Sequence, residues 1–270
     1  MNNATLAHTT LNRVVWLITA FGALIAAASG LANPAIYDPV VSQEIMPGVF
    51  TQDLVVALAA LPMLVLAVIY RRGAVIPIIQ FGILGFFFYA YGLYAMEQVY
   101  TSLYPLYLAL LALSFYGLAL GLASLQSQAW SRLSLPNWMR FLAAGYAIFI
   151  ALMFNVIWLS QLQPLLQNAE RIEYTFSVYI IDLSFIMPAM AIAGVLALRR
   201  HVLGIVSLPA LFILGAGILS PLAIAELIKP ARYGLPTLTG DLFLFGILSL
   251  VFVALTVAYL ALLRPARAET

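Results

Sequence analysis

The sequence contains very little charge: 8% of its 270 residues are charged, whereas 64% are hydrophobic. A soluble domain usually has about 25% charged residues, and these form its polar surface. Twelve basic and ten acidic side chains are too few to give a chain of this size such a surface. The composition therefore predicts an integral membrane protein.

Other scarce residue types exclude further classes of protein. Cysteine is absent, which excludes disulfides, thiolate catalysis and cysteine-ligated metals or clusters. Lys229 is the only lysine, so the chain offers no basic surface for nucleic acid. With His8 and His201 as the only histidines, we expect neither a metal site nor a bound haem. We predict no cofactor.

Long apolar runs are abundant. A bilayer core about 30 Å thick needs roughly 20 mainly apolar residues per helix. Eight runs of about this length are separated by polar or proline-containing connections, at 14–32, 53–70, 74–96, 102–124, 141–160, 176–198, 202–228 and 241–263. The predicted fold is all-α, a polytopic membrane bundle of about eight transmembrane helices. Barrel strands are disfavoured because they would require short polar and apolar alternation.

The basic residues lie mostly on one side of the predicted membrane. Nine of the twelve fall on the side of the N-terminus, namely Arg13, Arg71, Arg72, Arg132, Arg140, Arg199, Arg200, Arg264 and Arg267. Nine of the ten acids lie on or near the other side. Because cytoplasmic loops carry an excess of basic residues, we expect a multi-pass protein of the inner (plasma) membrane with both termini in the cytoplasm.

The two halves of the sequence resemble each other. A shift of 129 positions places Asp53 on Asp182, Arg71 on Arg200 and Glu97 on Glu226. This pattern predicts a duplication within a single membrane-embedded domain. Four helices per unit is an even number, so the two repeats would be parallel, related by an axis along the membrane normal. The predicted repeats span residues 1–135 and 136–270.

The four repeated acids are the candidate ligand-binding groups, because ionisable side chains within membrane segments are costly and mark functional sites by default. Each also has a structural interpretation. Asp182 could pair with a backbone or tyrosine donor inside the bundle, and Asp53 could cap its helix. Glu97 and Glu226 could be solvated acids at the membrane interface.

Tyrosines near Glu97 extend the candidate site. Tyr94, Glu97 and Tyr100 are spaced by three residues and would share a helical face if the third helix continued that far. Tyrosine rings around a carboxylate can form a cage for an organic cation. An aromatic belt at the membrane interface accounts for the same rings without a ligand. Pro188 and Pro221 predict helix kinks that could open a cavity below Asp182 and Glu226.

Three functions fit these features. The leading hypothesis is a small transport or ligand-binding protein whose outward-facing acidic site, between the two repeats, takes a small cation or protonated solute. The first alternative is a membrane enzyme acting on lipid or isoprenoid headgroups, with carboxylates as acid and base. The second is a structural or assembly subunit of a membrane complex, whose subunits are unknown. No catalytic residue is assigned, since the sequence lacks GxSxG, HExxH and GxxxxGK[ST] motifs.

Three stretches of the chain carry a resemblance to known proteins. In two of them an acid is followed by an apolar run and a double arginine, and the third is an aromatic-rich run after the third helix. They are TQDLVVALAALPMLVLAVIYRRG, YIIDLSFIMPAMAIAGVLALRR and LYPLYLALLALSFYGLAL. They resemble stretches in a group of uncharacterised bacterial multi-pass integral membrane proteins, and the resemblance covers most of the chain. It implies the helical membrane fold and no known activity.

Overall fold

The computed structural model describes residues 5–125, 130 and 133–265. Within these residues, eight helices are long and apolar enough to cross a membrane. They are α1 Thr9–Ala32, α2 Met46–Ile69, α3 Val75–Met96, α4 Tyr104–Ala123, α5 Asn137–Asn168, α6 Phe176–Leu198, α7 Val202–Ile228 and α8 Thr239–Leu262. The prediction of a multi-pass helical membrane bundle is confirmed. We call the end where α1 begins and α8 ends the terminus face, and the opposite end the far face.

Smaller elements complete the chain. A 3₁₀ turn, Pro34–Tyr37, follows α1 at the far face. Helix α6 has a π-helical segment, Asp182–Ile186, and α7 continues into a π turn, Lys229–Tyr233. Two short antiparallel strands, β1 Leu133–Ser134 and β2 Arg264–Pro265, pair at the terminus face.

Helix ends differ from the predicted bounds where polar residues continue a helix beyond its apolar run. Helix α5 extends to Asn168, well past the predicted end at residue 160. Helix α2 begins at Met46, so Asp53 lies about two turns inside the helix and does not cap it. An acid at this depth needs hydrogen-bond donors from neighbouring segments.

Helices α3 and α7 form the centre of the bundle and pack directly against each other. Glycine allows the close approach: a Cβ atom at Gly82 would lie 2.9 Å from the carbonyl oxygen of Ala210, and one at Gly217 would lie 2.6 Å from the Phe86 ring. Small residues at such crossings let membrane helices pack tightly. Helices α1, α2 and α4 lie on one side of this pair, and α5, α6 and α8 on the other.

The two sides differ in their interior packing. On the first side α1 packs against α4, whereas on the second side α5 and α8 barely touch. Buried apolar side chains form two separate clusters that follow this division. The duplication of the chain stays a prediction. The looser packing of α5 and α8 leaves space for a cavity between them.

Candidate ligand-binding site

A cavity of about 400 Å³ lies between α5, α6, α7 and α8, with α3 and the start of α2 along one wall. It opens at the far face, where the lining residues Gln161, Tyr174 and Thr175 are exposed. Most of its lining side chains are apolar. A mainly apolar cavity with a few converging polar groups is the usual form of a small-molecule site.

Asp182 is the buried acid of this cavity, with 5% of its surface exposed. Its Oδ2 atom accepts a hydrogen bond from the indole N–H of Trp158 at 2.8 Å. The hydroxyl of Tyr89 lies near the same carboxylate and interacts with it, but it does not form a hydrogen bond of normal distance and angle. Within the described residues, Oδ1 therefore has no hydrogen-bond partner. Leaving a buried acceptor unpaired is costly, so such an atom requires a functional or structural explanation.

The helix is irregular at Asp182, six residues before a proline. Pro188 has no N–H to donate, and its ring crowds the carbonyl of Ser184. The π segment Asp182–Ile186 widens the helix directly before this proline. π segments recur at functional sites, and irregular backbone at membrane depth is tolerated where it is buried or lines a cavity. The predicted link between Pro188 and a cavity near Asp182 agrees with this arrangement.

Aromatic rings surround the carboxylate toward the mouth. The Trp158 ring lies 5.8 Å from Phe154 and 5.4 Å from Tyr179, the latter in an edge-on contact. The Tyr179 hydroxyl donates to Oε1 of Gln161 at 3.0 Å, which ties α6 to α5. A carboxylate beside tryptophan and tyrosine rings is a suitable environment for an organic cation.

The floor of the cavity is closed by three rings. The ring centroids of Tyr146 in α5, Phe212 in α7 and Phe252 in α8 lie 5.3–6.0 Å from one another. Phe252 lines the cavity. Their edge-on and tilted contacts are the favourable geometries for aromatic packing. The cavity is therefore open toward the far face and, among the described residues, ends near these rings on its terminus-face side.

Two more of the predicted site residues, Glu97 and Tyr94, line the same cavity. Oε1 of Glu97 accepts hydrogen bonds from the backbone N–H and the hydroxyl of Ser177, in the first turn of α6. A carboxylate at this position satisfies a free N–H and is favoured by the helix dipole. The structure thus brings Glu97, Tyr94 and Asp182 together around one cavity.

Asp53 lies behind the cavity wall and does not line it. It is 3% exposed, and both of its oxygens are paired: Tyr37 donates to Oδ2 at 2.6 Å and Tyr94 donates to Oδ1 at 2.9 Å. The Tyr37 hydroxyl also lies 3.3 Å from that of Tyr107. Burial raises the pKa of Tyr37 well above its ordinary value, and the Asp53 carboxylate raises it further, so this hydroxyl keeps its proton and donates. Tyr94 is the link between this network and the cavity.

Glu226 is committed to the connection between α7 and α8. Its Oε1 forms an ion pair with Lys229, three residues later, and its Oε2 accepts from the backbone N–H of Leu238 at 2.8 Å. The Thr237 hydroxyl donates to the Glu226 carbonyl at 3.0 Å. Glu226 does not line the cavity, so it is separated from the other predicted acids.

Tyr100 is also apart from the cavity. It is 61% exposed, and its ring packs edge-on against Tyr104 at 4.7 Å. Helix α3 ends at Met96, and Gln98 adopts a positive φ of 56°, so the chain turns before Tyr100. The predicted helical face of Tyr94, Glu97 and Tyr100 does not form, because it required the helix to continue.

The residues that complete the site were not predicted from the sequence. Trp158, which donates to Asp182, and Tyr89, which lines the cavity beside it, were not among the candidate residues of the sequence analysis. Within the described residues, no group of three or more histidine or acidic side chains could hold a metal ion.

Comparison with known proteins found no matching protein-family model, curated protein or solved structure. The class of the protein is therefore defined by its fold alone, as a multi-pass α-helical membrane protein.

Proposed function

We propose that this membrane protein binds a small organic cation, a molecule with an ammonium group, in the cavity between α5, α6, α7 and α8. One observation carries the proposal. The buried Asp182 carboxylate faces an aromatic-walled cavity and has one oxygen without a partner in the described residues. An ammonium N–H would complete its hydrogen bonding.

The charges around Asp182 support a cation over an anion or a neutral solute. No basic side chain of the described residues forms an ion pair with it, and Glu97 adds a second carboxylate to the cavity wall. A buried carboxylate is stabilised mainly by a nearby positive charge or by several hydrogen bonds. Asp182 has one such bond in full geometry, so a cation gains more from this site than an uncharged ligand does.

The orientation of the chain decides from which compartment the cation enters. The excess of basic residues at the terminus face supports a plasma-membrane protein with cytoplasmic termini and a cavity open to the exterior. We expect green fluorescent protein fused after Thr270 to fluoresce and alkaline phosphatase at the same position to be inactive. A fusion after Asn168, at the end of α5, should give the reverse pattern. An active phosphatase at the C-terminus would contradict this orientation.

The change Asp182→Asn tests the proposal, because it removes the charge and keeps the size of the side chain. With n-hexylammonium as the probe, we expect at least a 30-fold loss of affinity, since leaving a buried charge without its partner costs about 2–5 kcal/mol. Binding is measured by native mass spectrometry of the protein released from mild detergent. Size-exclusion chromatography and circular dichroism establish that the variant is folded.

Asp38→Asn is the matched control for this experiment. Asp38 is an exposed acid near the far face, outside the cavity, so its substitution changes the net charge by the same amount. We expect n-hexylammonium to bind to this variant as it does to the wild type. Equal affinities for the wild type and Asp182→Asn would refute an ammonium site at Asp182. The hypotheses of a membrane enzyme and of an assembly subunit stay predictions that no contact in the structure favours.

A further inference from the structure

The cavity continues well beyond Asp182 toward the terminus face. Along α6, the lining residue Met190 follows Asp182 by eight positions, and along α5, Ile150 precedes Trp158 by eight. With a helical rise of about 1.5 Å per residue, each interval corresponds to about 12 Å. Two helices therefore give the same distance from the carboxylate and its indole donor to the floor.

The lining of this deeper part is apolar. Between Asp182 and the floor, the cavity is lined by side chains without charged or hydrogen-bonding groups, namely Ile150, Ile186, Met187, Met190, Ile218 and Phe252. The polar lining groups, such as Glu97, Ser177 and Gln161, lie at the level of the far-face loops. A ligand with its charge at Asp182 thus has these few polar groups on its far-face side and an apolar channel on its terminus-face side.

The depth of the apolar channel limits the part of the ligand that extends beyond its ammonium group. On the basis of the proposed ammonium site, on which this inference depends, we propose that the ligand is a straight-chain alkylammonium whose chain extends from Asp182 to the floor. An extended backbone covers about 3.6 Å in three bonds, so a 12 Å channel takes a chain of roughly eight to ten carbons. The depth of the cavity then limits the length of the alkyl chain that it can bind.

The same geometry argues against the amine-bearing phospholipids of the bilayer. In such a lipid, a phosphate separates the ammonium from the acyl chain. With the ammonium at Asp182 and the acyl chain directed to the floor, the phosphate would lie among the apolar side chains of Ile186, Met187 and Leu219, where burying its charge is costly. A single alkyl chain attached directly to the nitrogen avoids this cost.

A chain-length series tests the inference. The probes are n-alkylammonium chlorides from butyl to tetradecyl, with the alkanol and the alkyl sulfate of ten carbons and a lysophosphatidylethanolamine as comparison ligands. We expect affinity to rise about fourfold for each carbon that becomes buried and to level off near ten carbons. The alkanol should bind more weakly than the amine, and the sulfate and the lysolipid should not bind measurably.

Substitutions at the floor of the cavity should change the chain length at which the affinity levels off. Ile150→Phe fills the floor of the channel, so we expect the affinity for the decyl probe to fall at least tenfold while the affinity for the butyl probe is unchanged. Phe252→Leu opens the floor and should move the limit to longer chains. Leu152→Phe is the matched control: it makes the same kind of change in α5, at a bilayer-facing side chain that is 62% exposed.

Affinities are compared as ratios of variant to wild type at each chain length, measured by native mass spectrometry, so that partitioning of the probe into detergent cancels. A ratio for Ile150→Phe that does not change with chain length would overturn the chain-length limit, even if binding still depends on Asp182. Binding of every probe to Asp182→Asn as to the wild type would instead refute the ammonium site itself. The two failures are therefore distinguishable.

Discussion

Gly204→Ala is expected to prevent the protein from folding. Gly204 lies in the first turn of α7, where it crosses the last turn of α6. A Cβ atom at this position would lie 2.2 Å from the backbone nitrogen of Ala197 and 2.5 Å from the backbone carbon of Leu196. Unlike the end of a side chain, these backbone atoms cannot rotate away.

The chain cannot relieve the clash by moving α7, because only three residues connect the two helices. Helix α6 ends at Leu198 and α7 begins at Val202, and the reversal between them places Arg200 at a positive φ of 58°. We expect a loss of more than about 4 kcal/mol in the free energy of unfolding, in the range reserved for severe steric conflict. The measurement is the yield of monodisperse protein and its thermal unfolding midpoint in mild detergent.

Gly246→Ala is the control for this prediction. Gly246 is in the interior of α8, and a Cβ atom there would meet nothing within 4 Å. Its substitution should change the stability by no more than about 1 kcal/mol, and in the stabilising direction, because alanine favours the helix. Similar yields and midpoints for the two alanine variants would show that the crossing of α6 and α7 is wider than the structure has it.

Asp53→Ala should destabilise the protein strongly while leaving the binding of alkylammonium intact. The change removes the acceptor of two buried hydroxyls, those of Tyr37 and Tyr94. An unsatisfied buried donor costs about 1–3 kcal/mol, so the two together should lower the free energy of unfolding by about 2–6 kcal/mol. Because Asp53 does not line the cavity, the affinity for n-hexylammonium should stay within about threefold of the wild type, a change of under 1 kcal/mol.

Thermal unfolding and native mass spectrometry on the same preparation separate these two effects, with Asp38→Ala as the control for loss of an acid at the far face. If Asp53→Ala abolished binding without lowering the unfolding midpoint, Asp53 would belong to the ligand site. That outcome would restore the predicted arrangement in which acids from both halves bind one ligand.

The helical architecture could be predicted from the sequence, whereas the partners of the acids could not. Long apolar runs specify membrane helices directly, and all eight are present. In a membrane helix, however, both the lipid-facing and the buried sides are apolar, so the hydrophobic pattern does not show which side a given acid faces. Asp53 and Asp182 have similar sequence surroundings, yet one is enclosed by tyrosines and the other faces a cavity.

Distance along the chain explains most of the missed contacts. Tyr37 reaches Asp53 from a 3₁₀ turn outside any apolar run, and Glu97 meets Ser177 across 80 residues. Neither pairing has a local sequence signal. Glu226 is the exception, because Lys229 follows it by three residues, a spacing at which opposite charges meet on a helix. That spacing would have assigned Glu226 to a structural ion pair from the sequence alone.

The closed floor of the cavity determines how a bound molecule leaves. Tyr146, Phe212 and Phe252 belong to three different helices, so their rings separate when a side chain changes rotamer or when α5, α7 and α8 shift relative to one another. Beyond Phe252, another ten residues of α8, about 15 Å of helix, lie before the helix ends. Among the described residues, Gln161 and Tyr174 lie at the far-face opening, so a bulky group tethered at either would slow entry and exit through this opening equally without altering the equilibrium between them.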